Sequence, residues 1–553
     1  MPDEEGSSGS SNGGSGDNCN SSSSAYCVSF YNKDLNLVYA VLMDKNTNIN
    51  PSNIVSGSWY KAGASEPSTG HRLNDNINFY ATSKVVEITT QEELAAIGTD
   101  ATTLNRKYIL LNDIGLTGGK GFDSNGWIPI GSSASNVFTG IFNGNHHKIT
   151  NLWISRRSTN YVGFFGYINN AQIKNLRVEA AAGQAIIGND DVGGIVGHIY
   201  DNSTITGSYF NGNIEGSNYV GGIIGYAGSS YAKGDVRITD SSFIGNINAN
   251  SNVGGIVGKA NNVYMKITNS SANANIENSG IYVGGIAGYI PESTTATRHF
   301  ITGSHFNGGI ISSGSNGYVG GIVGYGGSLL IMNSYANGNV RGHADIGGII
   351  GKASHSVIVN SYASVNVRGS GMDVGGIAGF VSNSNITNSY ATGNVISTNC
   401  YVGGIAGTLD EVSMIRNSYA SGNVSSSNTA SVSHIGGIVG YIFGTKSQII
   451  NNVAINQYVK GQINSVNRIV GYFSSVSYLP NLAFSGMGGG GPNGFTHSNN
   501  PVSHGDSRSQ YDLRKRDTYK DINWRFNENG ANSDNAPWEI DENNGYPYLY
   551  WQK

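Results

Sequence analysis

The stretch Val374–Val395, VGGIAGFVSNSNITNSYATGNV, decides how this chain is read. Its first phrase recurs from Val162 (as VGFFG), Val192, Val220, Val253, Val283, Val319, Ile346, Val374, Val402 and Ile435. The intervals are 30, 28, 33, 30, 36, 27, 28, 28 and 33 residues, and a decayed copy, IVGYF, begins at Ile469. The second phrase, ITNSYATGNV, is echoed as ITGSYFNGNI from Ile205, IMNSYANGNV from Ile331, IVNSYASVNV from Ile358 and IRNSYASGNV from Ile415. Looser copies start at Ile238, Ile267 and Ile301. Self-similarity at such a period marks a repeat architecture.

Each phrase is short, β-branched and bounded by Gly, Asn and Ser, which are strand and turn signals. Two or three short strands per repeat suit one coil of a parallel β-solenoid. Coils stack about 4.8 Å apart, so ten to eleven of them make a rod of roughly 50 Å. Propeller blades repeat at about 40–45 residues with four strands each, longer than this unit. Leucine-rich repeats need a Leu ladder that is missing here. Apolar residues at the first and fourth positions of the phrase, such as Val319 and Ile322, break strict alternation and predict a backbone kink at the Gly pair. Glycine there also permits close approach of coils and a positive φ at a corner. The Asn of NSY (Asn333, Asn360, Asn388, Asn417) recurs at one coil position. It either forms a hydrogen-bonded ladder or fills a left-handed turn. Residues 227–236 and 291–298 read as inserted loops.

Composition agrees with a folded repeat protein. Of 553 residues, 80 are Gly, only 12% are charged and 10% are aromatic. That excludes a polyelectrolyte-type disordered chain. A net charge of −4 argues against a general nucleic-acid binder. No run of about 18 apolar residues exists, so no helical span is expected. Residues 1–24 begin with a polar segment and continue as a flexible Ser/Gly/Asn linker. Such a tether suits a mature fragment whose export signal, with a lipidated Cys, lay upstream; the alternative is a plain disordered tail. Cys19 and Cys27 are either bridged or free, and Cys400 has no evident partner.

The flanks differ from the array. Residues 25–83 alternate apolar and polar positions around turn residues and read as a small β module. Residues 84–130 form an N-terminal cap and lead into the solenoid at 131–475. Thr90 and Glu93 make a capping box for a short amphipathic helix, with Leu94 and Ile97 on one face, to cover the open end. Residues 476–553 are a Gly-rich loop followed by a segment dense in Trp and Tyr. That segment reads as a cap on the last coil, or else as an aromatic binding platform.

The phrases VGGIVGYI and ITNSYATGNV resemble the GLUG repeat. So does the lead-in, with YILLNDI from Tyr108, WIPIG from Trp127 and FTGIFNGNHHKITNL from Phe138. GLUG repeats occur in bacterial surface proteins, including adhesins and immunoglobulin A1 proteases, and the resemblance spans about residues 105–475. It implies an exported all-β protein with a right-handed parallel β-helix. It does not imply catalysis. The ending WEIDENNGYPYLYW resembles the segment that follows GLUG arrays.

No HExxH, G-x-S-x-G, P-loop or strand–helix GxGxxG motif is present. His146 and His147 are adjacent in a strand-like phrase and make poor joint ligands. β-Helix lyases and hydrolases need clustered carboxylates. Asp345 and Asp373 share the position before V/I-G-G, but Tyr161, Tyr219, Asn252, Tyr282, Tyr318, Tyr401 and His434 hold it in other coils, which suggests a solvent-facing turn. Asp123–Gly126 and Asp541–Gly545 fit neither an EF-hand loop nor a calcium nonapeptide. No catalytic residue, metal or cofactor is therefore assigned. The one candidate ligand-binding set is the row Tyr335, Tyr362, Tyr390 and Tyr419, expected to stack in register; the competing reading is a purely structural stack. The expected protein is a monomeric, non-catalytic surface adhesin or scaffold that binds a host or matrix protein or glycan, not nucleic acid. It would meet a membrane only through an N-terminal lipid. The alternatives are a carbohydrate-active β-helix enzyme and the repeat region of a surface protease.

Overall fold

The computed structural model describes residues 25–228, 234–293, 298–429, 433–444, 446–462, 465–474, 480–492, 494–495, 500–527 and 535–552. The predicted 1–24 linker, with Cys19, lies outside the described residues, as do parts of the loops expected at 227–236 and 291–298.

From residue 85 onward the chain winds as a right-handed parallel β-solenoid of about twelve turns. Among the described residues, one side is a sheet of 13 strands from Val85–Ile88 to Gln448–Ile450. A second has 11 strands, from Phe165–Ile168 to Val470–Phe473. The strands carrying the NSY tyrosines form the third side, which continues to Asp506–Arg508. Stacking thus begins within the lead-in and runs past residue 475.

The repeated apolar positions point inward. Val319, Ile322, Ile346, Ile349, Val374 and Ile377 are all fully buried in one continuous core. A Cβ on Gly348 would sit 2.1 Å from the Gly376 carbonyl oxygen and 2.7 Å from the Ala363 Cβ. The pair is glycine because the next coil passes too close for a side chain. The positive φ expected of glycine at this corner belongs instead to the preceding residue in several coils: 62° at Tyr161, 56° at Asp191, 58° at Tyr219, 53° at Asn252 and 57° at Asp373.

The two readings of the NSY asparagine both hold. Asn333, Asn360, Asn388 and Asn417 all have φ near 50°. The Asn388 amide donates to Asn360 Oδ1 and the Asn417 amide to Asn388 Oδ1, each at 3.3 Å. The serine that follows adds a second, buried ladder: the backbone N–H of Ser334 donates to Ser361 Oγ, that of Ser361 to Ser389 Oγ and that of Ser389 to Ser418 Oγ, at 3.1–3.3 Å. These bonds satisfy polar groups that would be costly to bury alone.

Before the rod, β1 (Ala25–Tyr31) pairs antiparallel with β2 (Leu37–Asp44) and parallel with Ile77–Tyr80. Val28, Phe30, Trp59 and Phe79 make this module's core. Pro51–Ile54, expected within an all-β segment, forms a helical turn capped by Asn50, since proline is suited to the first helical position. The module docks on the rod through Asn143, which donates to the Leu35 carbonyl at 2.6 Å, and Lys174, which donates to Asn36 Oδ1 at 2.9 Å. The helix Gln91–Ala95 carries the full Thr90–Glu93 capping box and buries Leu94 and Ile97 in the rod's core. At the far end Pro501–His504 packs on the last coils and adds Val502 to the same core. No helix among the described residues is long and apolar enough to cross a membrane.

Candidate functional site

Register alone builds the predicted tyrosine row. Tyr335 pairs with Tyr362, Tyr362 with Tyr390 and Tyr390 with Tyr419 across adjacent coils. The ring centroids stand 5.0, 5.1 and 4.8 Å apart and the planes lie within 5° of parallel. His305 extends the stack, 4.7 Å from Tyr335. Rings stacked in this way cover one another's faces and offer only their edges outward.

The C-terminal segment covers most of those edges. Trp538 lies 6.2 Å from Tyr390 and 6.0 Å from Tyr419, and Trp551 lies 5.7 Å from Tyr362. The Tyr419 hydroxyl donates to the Pro547 carbonyl at 2.8 Å, the Gln552 amide donates to the Tyr390 hydroxyl at 2.6 Å, and Trp551 Nε1 donates to the Asn360 carbonyl. The aromatic tail therefore lies as a strap along the flank of the rod rather than over its open end. Tyr390 and Tyr419 are 5% and 4% exposed. Burial drives the Tyr419 hydroxyl well above the ordinary tyrosine range. Tyr335 and Tyr362 stay half-buried and border a groove of about 440 Å³, with Gly303, Asn333, Trp551 and Gln552 as its other described walls.

A second aromatic column, which the sequence reading did not single out, runs along the corner before the V/I-G-G phrase. Residues six or seven positions further on stand in register on the next strand: Tyr167, His198, Tyr226, Lys259, Tyr289, Tyr325, Lys352, Phe380, Thr408, Tyr441 and Tyr472. They interleave with the corner residues. Tyr282 packs on Tyr289 at 4.7 Å and Tyr318 on Tyr325 at 6.0 Å, both near 60°, while Tyr289 stacks on Tyr325 at 5.1 Å. Lys259 lies over Tyr219 and Tyr289, and Lys352 over Tyr318 and Phe380. Neither lysine makes an ion pair among the described residues. Most of these side chains are half-buried, and among the described residues no strap like the C-terminal one crosses them, though the Tyr325 hydroxyl donates to Glu292 at 3.2 Å. The signal in the sequence was the recurring Tyr of VGGIVGY; its neighbour in space is a corner residue that varies too much to look like part of a surface.

Carboxylates interrupt the corner at two places. Asp191 bonds His198 Nδ1 at 2.8 Å, and burial raises its pKa. The Asp345 carboxyl donates to Asp373, and the Thr408 hydroxyl also donates to Asp373. Burial, with the neighbouring Asp373 charge, raises Asp345 to about 8; burial raises Asp373 to about 6. Carboxyls working on opposite faces of a glycosidic bond stand about 5 Å apart or more. The Asp345–Asp373 pair instead has its two carboxyls interacting directly with each other. Its immediate surroundings are Lys352, Tyr318, Tyr401 and Cys400.

The remaining candidates stand apart. His147 pairs with Asp113 at 3.2 Å, while His146 occupies a left-handed turn. Asp123 is held by Arg156 at 2.8 Å. Cys27 is disulfide-bonded and Cys400 is a buried free thiol. Among the described residues no group of three or more His, Cys, Asp or Glu is placed to hold a metal.

Comparison with known proteins rests on the repeat. The GLUG motif model matches residues 370–396 and 398–425. The chain carries two copies of the GLUG motif there. Over 151 residues it is 32% identical to halomucin of Haloquadratum walsbyi, a match to 26% of this chain and 2% of that protein. Over 70 residues it is 43% identical to a protein of Evansella cellulosilytica assigned as a Gly-rich membrane protein, covering 12% of this chain and 8% of that one. The GLUG-repeat chain thus corresponds to a small part of either relative's length. Among solved structures, a chain assigned as an immunoglobulin A1 protease from Bacteroides ovatus aligns over 85% of this chain and 93% of its own, at 18% identity and a TM-score of 0.23. An IgA1 protease aligns over 81% and 26%, at 15% identity and a TM-score of 0.22. Neither superposition is close enough to support an argument about function.

Proposed function

We propose that this GLUG-repeat chain is a non-catalytic, exported surface protein that acts as an adhesin or scaffold, binding host or matrix glycans or proteins along the side of its rod. The observation that carries the reading is the open corner column. A bulky side chain with positive φ is unfavourable for the backbone, and Asn or Gly is the residue that fits there. The NSY turn uses Asn in coil after coil. In two coils the corner uses Tyr instead, Tyr161 at 62° and Tyr219 at 58°. Strain tolerated in a half-exposed aromatic column, with lysines between its rings, supports recognition more than backbone fit. The Tyr335–Tyr362 groove beside Trp551 is the second proposed contact.

The test is a glycan and matrix-protein array probed with the parent, with Tyr282→Ser/Tyr289→Ser/Tyr318→Ser/Tyr325→Ser, and with Tyr335→Ser/Tyr362→Ser. A specific ligand retained by the parent and lost by the corner variant at an intact melting transition supports the reading. Bond cleavage in the captured glycan, abolished by Asp345→Asn, would overturn it.

A further inference from the structure

The molecule covers both ends of its rod but leaves one apolar edge open. In the N-terminal sheet the strand order is β2, β1, then Ile77–Tyr80, so β2 is an edge. Leu37, Val38, Tyr39 and Leu42 are 39%, 50%, 45% and 47% exposed. This is the densest run of exposed large apolar side chains among the described residues. From Tyr39 to Asp44 the register with β1 is unbroken, and the one irregularity falls at Val38, near the start of the strand. Val38–Met43, VYAVLM, contains no charge and no proline. Edge strands are ordinarily blunted by Lys, Pro, bulges or a covering element, because their free N–H and C=O groups template pairing with another strand. On β2 there is one such irregularity, at Val38, and neither Lys, Pro nor a covering element among the described residues.

We infer that β2 is a dimerisation edge that pairs antiparallel with β2 of a second copy of this chain, about a two-fold axis through Ala40. The strand is complementary to itself in that register. Val38 then faces Leu42 of the second copy and the reverse, so the most exposed pair on one face of the sheet is buried twice. Tyr39 faces Val41, Leu37 faces Met43, and the small Ala40 meets its own copy on the axis. Asp44, the one charged residue of β2, falls opposite Asn36, so no like charges confront each other. Lys45 comes within one residue of the other copy's Asp34. Two three-stranded sheets merge into one of six strands, an ordinary size. The contact is isologous and closes on itself, as most homodimers do. It departs from the monomer expected from sequence and is independent of whether the rod binds a glycan.

Sedimentation equilibrium of the full chain tests it. A dimer that dissociates on dilution is expected. Val38→Lys/Leu42→Lys places charges on side chains that face water in the monomer, so that variant should fold and melt like the parent yet sediment as a monomer. Cysteine placement reads the register. Ala40→Cys should form a covalent dimer under mild oxidation, because Cβ atoms of directly opposed residues lie about 4.5–5.5 Å apart. Val38→Cys should not, because its copies lie four positions off register. A parent that is monomeric at all concentrations, or a Val38→Lys/Leu42→Lys variant that remains dimeric, overturns the inference. Cross-linking through Val38→Cys but not Ala40→Cys overturns the register.

Discussion

The two aromatic columns are produced by the same stacking register and differ in what lies over them. In the NSY column the rings stack within 5° of parallel and the C-terminal strap closes over them. In the corner column near-parallel pairs such as Tyr289–Tyr325 alternate with contacts near 60°, the run is broken by Lys, Asp, His and Asn, and most side chains stay half-exposed. A regular aromatic ladder is therefore the mark of packing here, and the irregular one is the better candidate for recognition. A column that exists to pack can repeat one residue. One that meets a ligand has reason to vary.

The largest expected effect removes the support of both columns at once. Ile377 is fully buried beneath the corner. Ile377→Asp places an unpaired charge in the apolar core and should cost more than any other change proposed. Calorimetry should show the rod's main transition lost or split, because neighbouring coils share cooperativity. A variant that melts like the parent would remove Ile377 from the core.

Next in size is the direct contrast. Tyr335→Ser/Tyr362→Ser/Tyr390→Ser/Tyr419→Ser empties two buried ring sites and undercuts the strap, so a loss of at least about 5 kcal/mol is expected from the usual cost of deleting a buried aromatic. The corner variant Tyr282→Ser/Tyr289→Ser/Tyr318→Ser/Tyr325→Ser loses half-exposed rings worth about 1 kcal/mol each. Paired thermal melts decide: equal losses would erase the distinction between the columns. Trp538→Ala acts on the strap alone. Trp538 is fully buried against Tyr390, Tyr419 and Trp524, and its loss should cost about 3–5 kcal/mol. Proteolysis should then release residues after 535 before the rod opens.

Much of this was legible because a repeat states its rule many times over. The inward Val and Ile positions, the stacked Asn and the tyrosine spacing all follow from comparing copies within the one chain. What covers the tyrosines was not legible. Tyr419 and Pro547 are 128 residues apart, and the strap carries no repeat to align it with the rod. The density of Trp and Tyr in the tail signalled that it must be buried, but not where. The corner column was missed for another reason. Tyr318 and Tyr325 belong to different strands, and only the tight passage of the Gly between them brings the two strands together. Reading the Asp345–Asp373 position as a solvent-facing turn failed at Asp373 on the same point: the sharp corner folds Asp373 inward, to 7% exposure, while Asp345 stays half-buried.

The smallest expected effect is the pH dependence of that corner. Both aspartates have folded values, about 8 for Asp345 and about 6 for Asp373, above the ordinary 3.8. The native state therefore holds more protons than the unfolded chain in this range, and stability falls as pH rises wherever that is so. The contribution is complete below the ordinary aspartate value and is lost as pH passes about 6 and then about 8. Lys352, over Tyr318 and Phe380, softens the second loss by offsetting the charge that appears. Asp345→Asn keeps a donor toward Asp373 without a titrating proton, so it should flatten the fall in melting temperature between about pH 5 and about pH 8. Tyr282→Ser, in the same column but away from the carboxyls, should leave that slope as it is in the parent. A parent whose melting temperature does not fall over the range would show that burial does not hold these carboxyls protonated in the folded rod.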